Sequence, residues 1–354
     1  MSLHNKIPTE ARGRFDKPCS SLDAPKYAPY KDGRGTLDVG MKPIEKEEVF
    51  QVDRFWPYYM SRKHWLLAYR RNIVYRDINK KKTLNSHIEF GIMPVMLVMD
   101  LDLPFDAEKF ENPNWDKEWD RYQNYSSTFA PDRTTMLEAA KYLCYYGGPP
   151  VDMWSNMGNK YGLEHLTRIV QEDVCVLRRR EEGWILIAGS VCFPSYWSLK
   201  QKMGRPLQEV HASVPQMTEA INDVITKKMD DLESEKSVER FNWTMTNDRE
   251  LHQPYPERTY KSLGGHKVSN ANDGLYVRVE RQTLTKLPAN GDIMFTIRTY
   301  INPLAAIIRD ITLAKGLHSA IINSSKEVLS YRGISIYRSE ILECLDERII
   351  NESY

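Results

Sequence analysis

Polar and apolar positions change rhythm several times along the chain, and each change predicts an element. From Phe55 to Arg76, "FWPYYMSRKHWLLAYRRNIVYR" places Tyr59, Trp65, Leu66 and Tyr69 at helical spacing, which predicts a helix with one buried aromatic face. "RTTMLEAAKYLCYY", Arg133 to Tyr146, repeats that spacing with Met136, Ala139, Ala140 and Leu143, and Gly147-Gly148 followed by two prolines closes it. Between these two, acids and tryptophans alternate from Asp102 to Arg121, and Pro104 and Pro113 interrupt them, so a loop entering a short helix is expected.

The rhythm then shortens to two. "EDVCVLRR" and "WILIAGSVCF", on either side of the Glu181-Glu182-Gly183 turn, predict an antiparallel hairpin of β-branched and aromatic residues. A short helix, "SYWSLKQKMG", is expected next, then the segment "RPLQEVHASVPQM", then an amphipathic helix from about Pro215 to Met229 with Met217, Ile221 and Val224 on one face. "KKMDDLESEKSVER" is expected as a charged surface stretch.

The strongest sheet signal is "GLYVRVERQTLTKLPANGDIMFTIRTYINPL", two alternating runs joined by a Pro/Asn-Gly loop. Leu275, Val277 and Val279 share one face of the first run, and Arg278 and Glu280 point to the other. In the second run Ile293, Phe295 and Ile297 alternate with Thr296 and Arg298, and which stripe meets which depends on a register the pattern leaves open. Helices are expected from about Leu304 to Ile350. The sum is an α+β chain with an antiparallel sheet. It divides into a polar tail or strap over residues 1–35, whose Phe15, Tyr27 and Tyr30 are candidates to dock, a main domain over 36–320 and a C-terminal helical extension over 321–354.

Composition narrows the function classes. With 354 residues and 41% hydrophobic content the chain can bury a sizeable core. Lys and Arg total 49 against 48 Asp and Glu, so no global charge draws nucleic acid or an anionic membrane. No apolar run approaches a membrane span of roughly 20 residues, and "MSLHNKIPTEARGRFD" lacks the apolar centre of a secretory signal. A cytoplasmic protein is expected. The five cysteines are scattered and never form a CxxC pair, which fits reduced thiols. Redox chemistry would come from something bound.

No P-loop, GxGxxG, HExxH or GxSxG is present, and "GGPP" reads as a turn. The eight histidines never pair at the i, i+4 spacing of a helical metal site. A lone histidine suits haem, which brings four equatorial nitrogens and asks the protein for an axial imidazole. The pattern alone leaves His211 open between that role and a hydrogen-bonded structural residue. It also leaves open whether Arg278, Glu280 and Arg298 face solvent or line a polar cavity. Arg240, in "VERFNWTM", reads as an exposed residue ahead of an aromatic anchor, and Trp243 as core.

Four separated blocks carry a resemblance that changes these readings: "GMKPIEKEEVFQVDRFWPYY", "VQEDVCVLRRREEGWILIAGSVCFPSYWSLKQKMGRPLQEVHASVP", "VERFNWTM" and "LYVRVERQTLTKLPANGDIMFTIRTYINPL". In order and spacing, from about Asp38 to Leu304, they resemble the haem-dependent oxidative N-demethylase-like proteins. The resemblance implies a PAS-like antiparallel sheet flanked by helices that binds haem b through one histidine. The family's "IHxPVP" element maps onto Val210 to Pro215, with Ser213 in place of the usual proline, and makes His211 the axial iron ligand. Its "RxNW" element maps onto Arg240, Phe241, Asn242 and Trp243. It implies Arg240 as a donor toward dioxygen on the distal side, with Asn242 and Trp243 beside the cofactor. By the same resemblance Glu280 receives a cationic amine, and Arg278, Arg281 and Arg298 hold haem propionates or Glu280 itself.

The activity so implied is oxidation of a C–N bond in a small amine with O2, through a carbinolamine that collapses to an aldehyde and a dealkylated amine. The sequence holds no ferredoxin-type cysteine spacing and no flavin or nicotinamide fingerprint, so a separate reductase is the expected electron donor. A haem sensor or carrier without turnover, and a haem-free scaffold of the same fold, stand as the alternatives. A homo-oligomer is compatible with the sequence and not specified by it.

Overall fold

The computed structural model describes residues 21–77 except 38, 39, 46, 47, 52 and 54, then 163, 167, 170–254 except 235, 274–287 and 291–351. The helix expected over Arg133 to Tyr146, the stretch Asp102 to Arg121 and Phe15 lie outside the described residues. Among those described, seven strands form one antiparallel sheet: β1 (Lys42–Ile44), β2 (Tyr75–Asp77), β3 (Asp173–Arg180), β4 (Gly183–Ser190), β5 (Ser237–Thr246), β6 (Tyr276–Lys286) and β7 (Ile293–Pro303). Their order across the sheet is β1-β5-β6-β7-β3-β4-β2. The helices are α1 (Trp56–Tyr69), α2 (Arg71–Val74), α3 (Leu199–Lys202), α4 (Leu207–Val210), α5 (Glu219–Asp230), α6 (Leu304–Arg309), α7 (Ile311–Ile322), α8 (Lys326–Tyr331) and α9 (Arg338–Ile350).

Both expected hairpins form, β3 with β4 and β6 with β7. The β6–β7 register puts Arg281 opposite Arg298 and Thr283 opposite Thr296. Cross-strand partners share a face, so the Thr296/Arg298 stripe lies with Val277 and Val279, and Arg278 and Glu280 lie with Ile297, Thr299 and Ile301. On the first face Trp243, Met245, Val277, Val279 and Tyr300 pack under residues of α6, α7 and α9. Tyr30 closes this core from the N-terminal segment, its ring edge-on to Trp243 at 5.5 Å. The segment runs so close to α7 that a Cβ on Gly316 would sit 2.4 Å from the Lys31 carbonyl oxygen, a contact only glycine permits. On the second face Cys175, Leu177, Leu284 and Ile293 pack with Leu199 of α3 and with Ile225 and Met229 of α5.

Four elements differ from the sequence reading. The helix expected through Arg76 ends at Tyr69, and after the single turn α2 the chain extends into β2, which pairs with β4 through Tyr75 and Ser190. The helix expected across "SYWSLKQKMG" is one turn, α3, because Met203 already has extended dihedrals. The next helix starts at Glu219, not at Pro215. Gln216 has φ 64°, which no right-handed helix accommodates, and the Thr218 side chain caps the helix by accepting from the Ile221 N–H. Its buried positions are Asn222, Ile225 and Met229, whereas Val224 is 50% exposed. Last, the stretch expected as charged surface turns into β5 at Ser237, a strand the sequence reading missed.

No helix among the described residues is long and apolar enough to cross a membrane.

Candidate functional site

His211 caps the C-terminus of α4. Its N–H donates to the Leu207 carbonyl at 3.0 Å, and its own carbonyl accepts from Val214 at 2.8 Å. Lys202 of α3 donates to the Val210 carbonyl one residue earlier. The turn is therefore fixed from both sides. Its imidazole Nδ1 lies 3.4 Å from the Asn222 side-chain oxygen. The Asn222 amide nitrogen donates to the Thr218 carbonyl at 3.2 Å, so the amide can only present its oxygen to the ring, and Nδ1 takes the proton. This leaves the Nε2 lone pair for a ligand bond. Burial pushes the imidazole down to about 4, against the Asn222 hydrogen bond and with help from the nearby positive charges of Arg240 and Lys202. The ring is neutral at neutral pH, as a metal-binding imidazole must be.

Arg240, whose charge reaches His211, comes from β5. In the β5–β6 register Arg240 faces Gln282, Asn242 faces Glu280 and Thr244 faces Arg278, so these six side chains share the second face of the sheet. Glu280 is nearly buried, at 6% exposure. One of its oxygens accepts from the Ser195 hydroxyl, and the other accepts from the Gln282 amide at 3.0 Å. Arg278 is fully buried and all three guanidinium nitrogens donate to protein acceptors. Nε reaches the Ser195 hydroxyl oxygen at 2.6 Å, Nη1 the Glu250 carbonyl at 3.2 Å, and Nη2 the carbonyls of Phe193 and Leu251 at 2.7 and 2.9 Å.

The remaining candidates lie on the first face. Trp243 sits opposite Val279 in the core, with the Arg332 guanidinium 4.1 Å above its ring. Arg281 donates to Glu239 at 2.7 Å and to the Val49 carbonyl at 3.3 Å. Arg298 donates to Asp53 at 2.7 Å and lies 3.9 Å over the Tyr59 ring. The structure thus puts Arg240, Asn242, Glu280 and Arg278 on one face of the sheet and brings Arg240 near enough to His211 for its charge to act on the imidazole. It does not bring Trp243, Arg281 or Arg298 to them.

Three residues join this group that sequence reasoning did not select: Ser195, Gln282 and Tyr331. Gln282 could have been found by its parity with Glu280. Tyr331, at the end of α8, hydrogen-bonds the Asn242 side chain, and burial followed by the Glu280 charge pushes its phenol up. Nothing in the local pattern around Ser195 or Tyr331 signals these contacts, which are made across long chain separations.

The donor set fits a haem. It offers one neutral imidazole with an oriented Nδ1–H, within reach of the charge of Arg240, whose face of the sheet carries a polar stripe with Arg278 and Glu280 buried rather than the apolar stripe a sheet normally presents to covering helices. His252, beside the carbonyls that hold Arg278, has a different environment. Its Nδ1–H donates to the Cys192 carbonyl at 2.7 Å, and burial pushes it down to about 4. An unfolded histidine titrates near 6.5. Between about pH 6.5 and 4 the unfolded chain therefore takes up a proton at this residue that the folded chain refuses, and stability falls as pH falls. This residue's share is on the order of 3 kcal/mol across that window. NMR titration should show the His252 ring neutral at pH 5, and His252→Gln should flatten this part of the stability profile.

Residues 123–342, more than half of the chain, match the family model described as haem-dependent oxidative N-demethylase, alpha subunit-like. The match includes His211, Arg240, Asn242, Glu280 and Tyr331.

Proposed function

The chain belongs to the haem-dependent oxidative N-demethylase, alpha subunit-like family, and on that premise we propose that it is a haem b oxygenase that removes a carbon substituent from a small amine. The reading is carried by a neutral, oriented His211 that feels the charge of Arg240, together with the sharing of one sheet face by Arg240 and the nearly buried Glu280. We assign His211 as the axial ligand through Nε2. When bound, haem supplies the activation of O2 by externally delivered electrons.

The chain's own residues then do the rest. Glu280 receives the protonated amine, because a nearly buried carboxylate attracts an ammonium far more strongly than water-exposed ones do. It also accepts the proton that the amine must lose before oxidation at the C–N bond. Arg240 keeps its charge at any working pH and donates hydrogen bonds toward negative charge developing on oxygen. Asn242, held by Tyr331, fills the space between Arg240 and Thr244 along the strand. Removal of an N-methyl group consumes O2, two electrons and two protons and yields water, formaldehyde and the dealkylated amine. The electrons are assigned to a separate reductase and the location to the cytoplasm. The order of the central strands, β4-β3-β7-β6-β5, supports a PAS-like sheet under this site.

The test is formaldehyde release from small N-methyl amines by the haem-loaded chain with a chemical reductant. Glu280→Gln is expected to lower kcat/KM by about 100-fold while haem content is kept. Haem binding without formaldehyde from any of these amines would replace the oxygenase with a haem sensor or carrier.

A further inference from the structure

Arg278 is an unusual buried charge. It is fully buried, yet among the described residues no carboxylate touches it. Four backbone carbonyls and one hydroxyl take its hydrogen bonds, and among nearby charges Glu280 is the one that most favours its charged form. A buried cation without a direct counterion is costly unless hydrogen bonds and nearby negative charge offset its lost hydration. Ser195 links Arg278 to that negative charge. A guanidinium can only donate, so Arg278 Nε–H occupies a lone pair of the Ser195 oxygen and the serine proton is left for Glu280. The polarity of the chain Arg278, Ser195, Glu280 is fixed by chemistry alone.

The backbone around Ser195 is held at a cost. Tyr196 has φ 60°, a left-handed conformation that disfavours a bulky aromatic by roughly 1–2 kcal/mol. Several bonds enforce it. The Tyr196 N–H donates to the Gln253 carbonyl at 2.7 Å, the Gln253 N–H donates to the Pro194 carbonyl at 3.2 Å, and the Tyr196 hydroxyl meets the Thr246 hydroxyl at 2.6 Å. These contacts wrap the loop around the Arg278 guanidinium and set the serine hydroxyl against Glu280.

We propose that Ser195 is a positioning residue for the amine, passing the charge of Arg278 to Glu280 and fixing which carboxylate lone pairs remain for an ammonium N–H. This rests on the amine reading of the site. With Oε1 accepting from Ser195 and Oε2 from Gln282, the carboxylate cannot rotate, and each oxygen keeps one lone pair for the ligand. On the amine reading, the ligand must therefore present at least one ammonium N–H to these lone pairs.

The experiment uses the full haem-loaded chain and trimethylammonium as probe, with binding read by calorimetry. Ser195→Ala is expected to weaken the probe by about 10- to 100-fold, the range of a hydrogen bond to a charged group, and Ser195→Thr to stay within about threefold of wild type. In parallel, the Glu280 carboxylate stretch is assigned in the infrared spectrum by its loss in Glu280→Gln. That band is expected to move in Ser195→Ala and to hold in Ser195→Thr. A stationary band in Ser195→Ala overturns the relay whether or not the probe binds. A wild-type chain that fails to bind the probe overturns the amine reading instead, while the infrared band still decides for Ser195. Ser195→Cys, with its weak S–H donor, stands in if the alanine variant does not fold, and it is expected to move the band and weaken the probe in the same direction.

Discussion

His211→Ala, purified from haem-supplemented cells, is expected to lose the Soret band that the wild-type chain carries, retaining under about a tenth of its haem. The expectation comes from the geometry of one imidazole. Asn222 fixes the Nδ1–H tautomer, burial keeps the ring neutral, and the α4 cap holds the backbone on both sides. Alanine removes the one imidazole of this group, the donor that haem asks of a protein, and leaves only the oxygen donors Glu280 and Tyr331 beside it. Asn222→Ala is the graded control. It leaves the ligand in place but frees the ring to rotate, and loss of such an orienting partner typically weakens metal binding by about 10- to 100-fold. Measured side by side, the two spectra separate ligand from support. A His211→Ala band identical to wild type would move the ligand to another residue, and absence of haem from wild type would sink the oxygenase reading.

How far this site was legible in the sequence depends on parity. In β6 the even positions 278, 280 and 282 and the odd position 281 necessarily point to opposite faces once the segment is a strand. Arg281 could thus have been separated from Arg278 and Glu280 at the outset. Arg298 could not, since its face follows only from a hairpin register that no local residue specifies. β5 shows a different failure. Val238, Arg240, Asn242 and Thr244 alternate with Glu239, Phe241, Trp243 and Met245, a period-two pattern obscured because charges just before it suggested surface. Reading it as a strand would have put Asn242 and Trp243 on opposite faces. Pro215 looked like a helix start, yet the cap chemistry lay three residues on at Thr218. The contacts of Ser195 and Tyr331 were out of reach altogether, because they are made between segments that only the folded sheet brings together.

Asp53→Ala is expected to destabilise the fold by about 3–5 kcal/mol, the usual loss when one partner of a buried ion pair is removed. Arg298 is fully buried, with Nη2 on Asp53 at 2.7 Å and no hydrogen-bond partner for Nε or Nη1 among the described residues. The Tyr59 and Tyr300 rings, 3.9 and 5.0 Å from the guanidinium, provide only π faces. Without Asp53 the charge loses its direct counterion and keeps only the influence of Glu172, a buried carboxyl that desolvation pushes toward its neutral form. Burial raises the Asp53 carboxyl, but the Arg298 charge and hydrogen bonds from Gln171, Arg298 and the Phe55 N–H outweigh it and hold the group below the usual range. An acid with a depressed folded value stabilises the fold at neutral pH, and that contribution is lost as pH falls below about 3.9 toward the folded value. Wild type should therefore show an acid-dependent loss that Asp53→Ala lacks. Arg298→Leu removes the buried cation itself and leaves Asp53, 21% exposed, with Gln171 and the Phe55 N–H. It should be milder, about 1–2 kcal/mol by denaturant midpoint. Haem per folded molecule then decides between two roles for this arginine. An unchanged value in Arg298→Leu makes it a structural partner of Asp53, and a fall makes it the propionate holder that the family resemblance implies.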